Sequence, residues 1–352
     1  MKKVLALHLP AFHQIPENDE WWGKGFTEWN NVKSGKKLYD KHYQPIQPLN
    51  DNYYDLSNKN DMKNQIEMAN KYGIYGFVFY HYWFGNGKML FEKPAEMILK
   101  NMDLNINFCF SWANQTWITT WHGMQPKTLL DQLYPGKSDW EAHYKYWRKF
   151  FLDNRYIKCG NKPMIFIYNP SEIPDYDNMI EYFDKQCKID GFSGIYVVEY
   201  IFPRNRSLYS KMSDAVFEFE PRYTLFFDIS KINLLFRAIK KKFNMTDYQS
   251  YDRLWNYILK RKRTYSGKTI IEGCFVGWDN SARCGKNSLI VKGKSIEKFR
   301  KYFTKFYRHN RVDASDEFCV INAWNEWSEG AYLEPDSVDK YGYLQVIMDN
   351  VK

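Results

Sequence analysis

Two glutamates three residues apart, Glu326 and Glu329, stand in the run Asn322-Ala323-Trp324-Asn325-Glu326-Trp327-Ser328-Glu329-Gly330. Breaking a glycosidic bond needs a proton delivered to the leaving oxygen and a base or nucleophile near the anomeric carbon. Two carboxyl groups supply both when their surroundings separate their pKa values. Trp324 and Trp327 alternate with the acids, offering an apolar wall that would raise one pKa and a flat face for a sugar. Gly330 permits a tight turn. Two glutamates at this spacing also fit a solvated loop. Their embedding in W-N-E-W-S-E-G, after an apolar strand, is what singles them out. Zinc-protease spacing (H-E-x-x-H), a G-x-S-x-G elbow and a P-loop are all absent.

The elements that must carry these residues follow from hydrophobic rhythm. Short apolar runs recur at Val4–Leu9, Gly76–Trp83, Asn107–Asn114, Pro163–Asn169, Gly194–Tyr200, Ala215–Phe219, Gly273–Asp279 and Phe318–Trp324. Amphipathic helical patterns such as Asp61–Tyr72 and Ser295–Tyr307 lie between them. Continuous apolar strands alternating with helices imply a parallel sheet covered on its outer face. Eight such units predict an α/β fold, a single (β/α)8 TIM barrel spanning 1–352. An open doubly wound sheet is the alternative, disfavoured because no glycine-rich phosphate loop follows the first strand. No sequence repeat is present.

In a barrel the C-terminal ends of the strands converge on one mouth. Here they are rich in residues able to hold a sugar: His81, Tyr82 and Trp83 after the second strand, Trp112 and Asn114 after the third, and Tyr168 after the fourth. Glu199 follows the fifth, Glu218 and Glu220 the sixth, Trp278 and Asp279 the seventh, and Asn325 and Trp327 flank the glutamates. Trp29 and Trp121 join them as stacking candidates. Any one strand-end Trp or His is ordinarily just packing. The enrichment across the ends is the argument. Asp279, Asn280 and Arg283 would bond sugar hydroxyls or organise a loop.

Two segments break the rhythm. The first loop, 12–56, is long and holds Glu17, Trp21, Trp22, Glu28, Trp29, His42 and Tyr43, too aromatic for a disordered loop. The second, 224–268, is expected as a basic helical insertion between strands six and seven. Residues 231–263 contain ten Lys or Arg against Asp247 and Asp252, a balance of +8 out of a chain total of +9. Charge confined in this way argues against nucleic-acid binding. The simpler reading of 232–243 is a helix packed on the barrel with a solvated charged face. The sharper one is peripheral contact with an anionic membrane surface or a phosphate-bearing glycolipid.

Composition sets further bounds. Aromatic residues make up 19 % of the chain, fitting either a large aromatic core or a carbohydrate cleft. The six cysteines, at 109, 159, 187, 274, 284 and 319, form no CxxC pair, so neither a metal site nor a disulfide framework is expected, and no cofactor. Free thiols fit a reducing compartment. The opening apolar run is short and lacks a small-residue cleavage site, so it reads as a first strand rather than a signal peptide. A cytoplasmic protein, peripheral at most to the inner face of the membrane, is expected. The sequons at Asn114, Asn205 and Asn244 carry little weight in such a setting.

WNEWSEGAYLEP resembles the motif of glycoside hydrolase family 99, the endo-α-mannosidase type. HLPAFHQIPENDEWWGKGFTEWNNV, YGIYGFVFYHYWF, FSWANQTW and GCFVGWDNSARCGK resemble WbsX-type proteins of bacterial surface-polysaccharide gene clusters. These proteins are often labelled glycosyltransferases and share a family 99-like domain. The resemblance covers nearly all of the chain except the basic segment, and it implies a barrel acting on α-linked glycans with retention of configuration. Carried over by position, it makes Glu326 a base acting on the sugar 2-hydroxyl, opening a route through a 1,2-anhydro sugar. It makes Glu329 the general acid, then base. Ser328 stands where the hydrolases commonly have His, and Gln115 where WbsX-type proteins more often have Glu. Three functions are expected in this order: a retaining glycosidase acting on a bacterial polysaccharide or its lipid-linked precursor, a glycosyltransferase of surface-polysaccharide assembly, and a non-catalytic glycan-binding protein.

Overall fold

The computed structural model describes residues 2–119, 127–202 and 210–352. Eight parallel strands form its centre: β1 (Lys3–His8), β2 (Gly76–Trp83), β3 (Asn107–Trp112), β4 (Lys162–Ile167), β5 (Tyr196–Tyr200), β6 (Ala215–Phe217), β7 (Thr269–Phe275) and β8 (Ala314–Asn322). Each pairs with its neighbours in chain order, and β1 pairs with both β2 and β8, so the sheet closes into a barrel. With side chains filling the interior and helices outside, both strand faces are covered, which is why the strands read as unbroken apolar runs. In β1 every residue after Lys3 is buried.

The outer layer comprises α1 (Lys59–Lys71), α2 (Lys93–Lys100), α3 (Lys137–Phe151), α4 (Tyr176–Ile189), α5 (Tyr251–Lys260), α6 (Ile296–Arg308) and α7 (Gly342–Val351). The α6 helix shows how sequence specifies one of them. Ser295 caps it by accepting from the Lys298 amide at 3.2 Å. Phe299, Tyr302, Phe303, Phe306 and Tyr307 recur at helical spacing and are all buried. The expected helices 61–72 and 295–307 coincide with α1 and α6 to within two residues.

The expected strand positions hold, with shifts at the ends. The seventh strand, expected at 273–279, runs 269–275, because the β-branched run Thr269-Ile270-Ile271 enters the sheet. Residues 276–279 instead leave the barrel and build its rim, with Asp279 bridging to Ile290.

The segment 224–268 divides into two unlike parts. Tyr251–Lys260 is a barrel helix, α5, burying Tyr251, Leu254, Trp255 and Ile258. The added part is the helix Lys231–Lys242 and a short strand, Asp247–Ser250, which pairs with Leu289–Lys292 from the loop after β7. Lys231–Lys242 buries none of its residues, so the helix packed flat on the barrel is not what forms.

Part of the basic charge is structural. Arg261, almost fully buried, pairs with Glu218 at 2.7 Å and with Glu220 and Asp228 at 2.6 Å each. Arg311 completes the network on Glu218 at 2.6 Å. Burial alone would push the Glu218 carboxyl up, but the two guanidinium groups outweigh it and hold it below its ordinary value. The acids at the end of strand six are thus committed to this network, and neither lines the mouth cavity described below.

Arg261→Met should lower the free energy of unfolding by about 3–5 kcal/mol, because it leaves buried carboxylates unpaired. Urea denaturation measures this, and an unchanged midpoint would mean that the network contributes nothing.

Candidate active site at the barrel mouth

The opening motif leaves β8 and folds back at once. Asn325–Glu326 pairs antiparallel with Ala331–Tyr332, and Trp327–Glu329 forms a single 3-10 turn. Glu326 ends the strand and Glu329 ends the turn that follows it at once, so the chain reverses between them and both carboxyls line one cavity. Asn325 bolts the turn to the end of β1, accepting from the Leu9 amide at 2.7 Å and donating to the Leu9 carbonyl at 2.9 Å. Trp327 stacks on Tyr332 with ring centroids 4.1 Å apart and donates to Glu334 at 2.7 Å. Trp324 is fully buried. The three support the turn from beneath, and none of them lines the cavity.

Gly330 ends the turn at φ +61°. A Cβ there would stand 2.9 Å from both the backbone nitrogen and the Cβ of Asp279. That closeness matters, because the Asp279 amide donates to the Glu329 carbonyl at 2.6 Å. Asp279 is held in turn by His42 at 2.6 Å and Gln44 at 3.2 Å. Burial would raise its carboxyl, but the bonds from His42 and Ser281 outweigh burial and hold it below its ordinary value. Asp279 therefore braces the glutamate turn from behind, facing a neighbouring hollow.

The cavity measures about 300 Å³. Its polar end is built around Arg283, on the short helix Ser281–Cys284. Arg283 donates to Glu329 at 2.8 Å and to Glu28 at 2.6 Å, and lies 3.8 Å from Glu326. Burial opposes its charge, but Glu28, Glu329 and Glu326 together hold the guanidinium above its ordinary value. Glu28 comes from the long first loop, in the first turn of the helix Glu28–Lys33. It also accepts from the Ser328 hydroxyl and from Asn31 at 3.3 Å.

Glu326 is the least favoured of these charges. Burial, reinforced by the negative charge of Glu329 and opposed by Arg283, pushes its carboxyl up to about 8. One oxygen of Glu326 is buried with no hydrogen-bond partner among the described residues. At neutral pH burial beside Glu329 therefore favours a proton on Glu326.

Aromatic rings form the rest of the wall. Tyr80 and Tyr82 enter from β2, and Trp22, Phe26 and Trp117 from the loops. Tyr168 lines it beside Arg222, which donates to its hydroxyl at 3.2 Å, and Trp278 closes the side toward β7. Flat rings and buried polar groups around a cleft suit the two faces of a sugar.

Several expected contacts point elsewhere, because strand side chains alternate between faces. Tyr80 and Tyr82 face inward; His81 and Trp83 face α3. His81 meets His143 at 2.8 Å, and burial lowers its pKa to about 3. Trp83 stacks on His143 at 4.3 Å and bonds Asp139. The same alternation sends Trp112 toward Trp147 and His143, whereas Ala113 and Gln115 line the cavity. Asn114 ties two strand ends together, accepting from the Asn169 amide at 2.8 Å and donating to its carbonyl at 2.8 Å. Glu199 is buried and accepts from the Ser210 amide at 3.1 Å. Trp29 packs against Phe12, Tyr54 and Trp327 and donates to the Tyr54 carbonyl at 2.8 Å. Trp121 lies outside the described residues. Among the described residues no group of His, Cys, Asp or Glu could hold a metal ion.

Spacing gives no signal for Glu28, which lies some 300 positions before Ser328. Only the closed barrel brings the two together.

The family model described as glycosyltransferase WbsX matches residues 4–347. Two proteins named WxcX, both described as uncharacterized, match over 97 % of the chain. They come from Xanthomonas campestris pv. campestris, strains B100 and ATCC 33913, and are 31 % and 30 % identical. The chain spans about half the length of each (48 %). Among solved structures, a glycoside hydrolase-like protein superposes with a TM-score of 0.59 at 14 % identity, covering 100 % of this chain and 94 % of that one. The family 99 endo-α-mannosidase of Bacteroides thetaiotaomicron, solved with bis-tris-propane, gives 0.55 at 13 % identity over 99 % and 96 %. At these identities the likeness is one of fold.

Gly330→Ala should cost about 1–3 kcal/mol, since the new Cβ strains a left-handed residue and presses on Asp279. Urea denaturation should show a lower midpoint at unchanged slope. An unchanged midpoint would mean that the turn does not depend on this close approach.

Proposed function

The chain belongs to the WbsX glycosyltransferase family, and from that premise we propose that it breaks α-glycosidic bonds with retention, as a family 99-like glycoside hydrolase acting on a bacterial surface polysaccharide or its lipid-linked precursor. The observation that carries this reading is the unequal setting of two cavity-lining carboxyls, one at the end of a short strand and one at the end of the 3-10 turn that follows it. Glu326 is buried and raised to about 8, while Glu329 is paired with Arg283. Acid and base catalysis at one bond requires such a difference.

Glu326 takes the proton of the sugar 2-hydroxyl as that oxygen attacks the anomeric carbon. Glu329 gives its proton to the glycosidic oxygen as the bond to the leaving sugar breaks. Water, deprotonated by Glu329, then opens the 1,2-anhydro ring, and Glu326 returns the first proton to O2. Two inversions leave the configuration retained. In the resting site the pair's single proton lies on Glu326. A 2-hydroxyl donating to Glu326 stabilises its carboxylate form, which moves the proton to Glu329. Burial also suits Glu326 to this work, because a carboxylate with a pKa near ambient pH is a stronger base than an ordinary one.

The family's description supports a second outcome of the same chemistry, in which a sugar hydroxyl replaces water in the second step. The donor is then a glycan or glycolipid, and the protein a transglycosylase of polysaccharide assembly.

Activity on a cognate α-glycoside should fall as pH rises through about 8, as the pair loses its shared proton. With an aryl glycoside, whose leaving group needs no proton, Glu329→Gln should keep bond cleavage within about tenfold of the parent. Glu326→Gln should lose about 100-fold or more. The opposite pattern would exchange the two roles, and full activity in both variants would refute the reading.

A further inference from the structure

The helix Lys231–Lys242 has no buried residue, yet it is not polar. Ile232, Leu235, Phe236 and Ile239 are 67, 62, 56 and 40 % exposed, and beyond its end Phe243 and Met245 are 66 and 55 % exposed. Scattered exposed apolar residues are ordinary in any protein, but a contiguous set of six on one short segment is not. At helical spacing, 232, 235, 236, 239 and 243 fall within an arc of about 100°.

Cations border that arc. Lys231 and Lys242 lie along one edge and Lys240 along the other, with Arg237 and Lys241 behind, and 231–245 contains no acid. The opposite side anchors the helix to the body. Arg237 donates to Asp247 and to the Leu225 carbonyl at 2.6 Å each, and Leu234 is half-buried. The apolar stripe therefore faces away from the barrel. The helix follows β6, so it sits on the face of the barrel that carries the mouth. Its following strand pairs with the loop after β7, the same loop that carries Arg283.

We infer that residues 231–245 form an in-plane anchor for an anionic phospholipid bilayer. The apolar stripe enters the headgroup boundary while the flanking lysines reach the lipid phosphates. An amphipathic helix of this kind lies in the interface and does not span it. No helix among the described residues is long and apolar enough to cross a membrane. Charge decides between occupants. A second copy of the same face would bring Lys231, Lys241 and Lys242 against the same three lysines, whereas an anionic surface neutralises them. A docked helix would also hold the mouth beside the bilayer, where the sugars of a glycolipid are presented.

Vesicle flotation with the 352-residue chain tests this. Vesicles containing about one third phosphatidylglycerol should bind at least about tenfold more protein than phosphatidylcholine alone, and high salt should reduce the excess. Phe236→Ser with Phe243→Ser should abolish binding, as should charge reversal of Lys231, Lys241 and Lys242. Circular dichroism and the melting temperature should stay unchanged, since these side chains are exposed. Glu326→Gln should float like the parent, so failure here is separable from failure of the catalytic reading. Equal binding to neutral vesicles, no binding at all, or a concentration-dependent dimer lost in the Phe variants would each overturn the proposal.

Discussion

Arg283 is one cation among three carboxylates, Glu28 and Glu326 buried and Glu329 half-buried, and the arrangement of the mouth follows from that imbalance. With Glu28, Glu326 and Glu329 all ionised the cluster would carry two uncompensated negative charges in a largely buried setting. Protonating the member with the weakest partner relieves this at least cost. Glu326 is that member: it lies 3.8 Å from Arg283, whereas Glu329 and Glu28 are bonded at 2.8 and 2.6 Å. Asp279 carries the amide that fixes the Glu329 backbone, and the long first loop contributes Glu28. Elements far apart in sequence are thus locked together by one charge balance.

How much of this can be read from the sequence depends on the range of the interaction concerned. The barrel is legible because each strand and helix announces itself within ten residues by apolar rhythm. The glutamate pair is legible because its spacing is that of a single turn. The cavity wall is less so. A run such as His81-Tyr82-Trp83 looks uniformly suited to a sugar, but alternation sends Tyr82 inward and the other two to α3. Exact strand ends decide which parity faces in, and short apolar runs blur those ends. Long-range partners leave no local trace. Glu28 looks like any acid at a helix start, and Arg283 gains its meaning only when the first and seventh loops meet.

The basic segment follows the same division. Its net charge is plain in the sequence, but its roles are not uniform. Arg261 is spent inside the fold on Glu218, Glu220 and Asp228, and Arg237 ties its own helix to Asp247. What remains at the surface is a row of lysines around an apolar stripe, on the side where the barrel opens. A mouth lined by paired carboxyls and an apolar, cationic helix on one face would suit a glycan held near a surface better than one free in solution.

Burial of Glu326 beside a second carboxylate is what would let the glutamate pair keep one proton at neutral pH. Carbon-13 NMR of protein labelled at the glutamate carboxyls, with the Glu326 resonance assigned by its loss in Glu326→Gln, measures this without any substrate. A Glu326 titration centred at about pH 8 is expected. Titration near the ordinary value of about 4.3 would contradict it, for the site would then hold no proton to give.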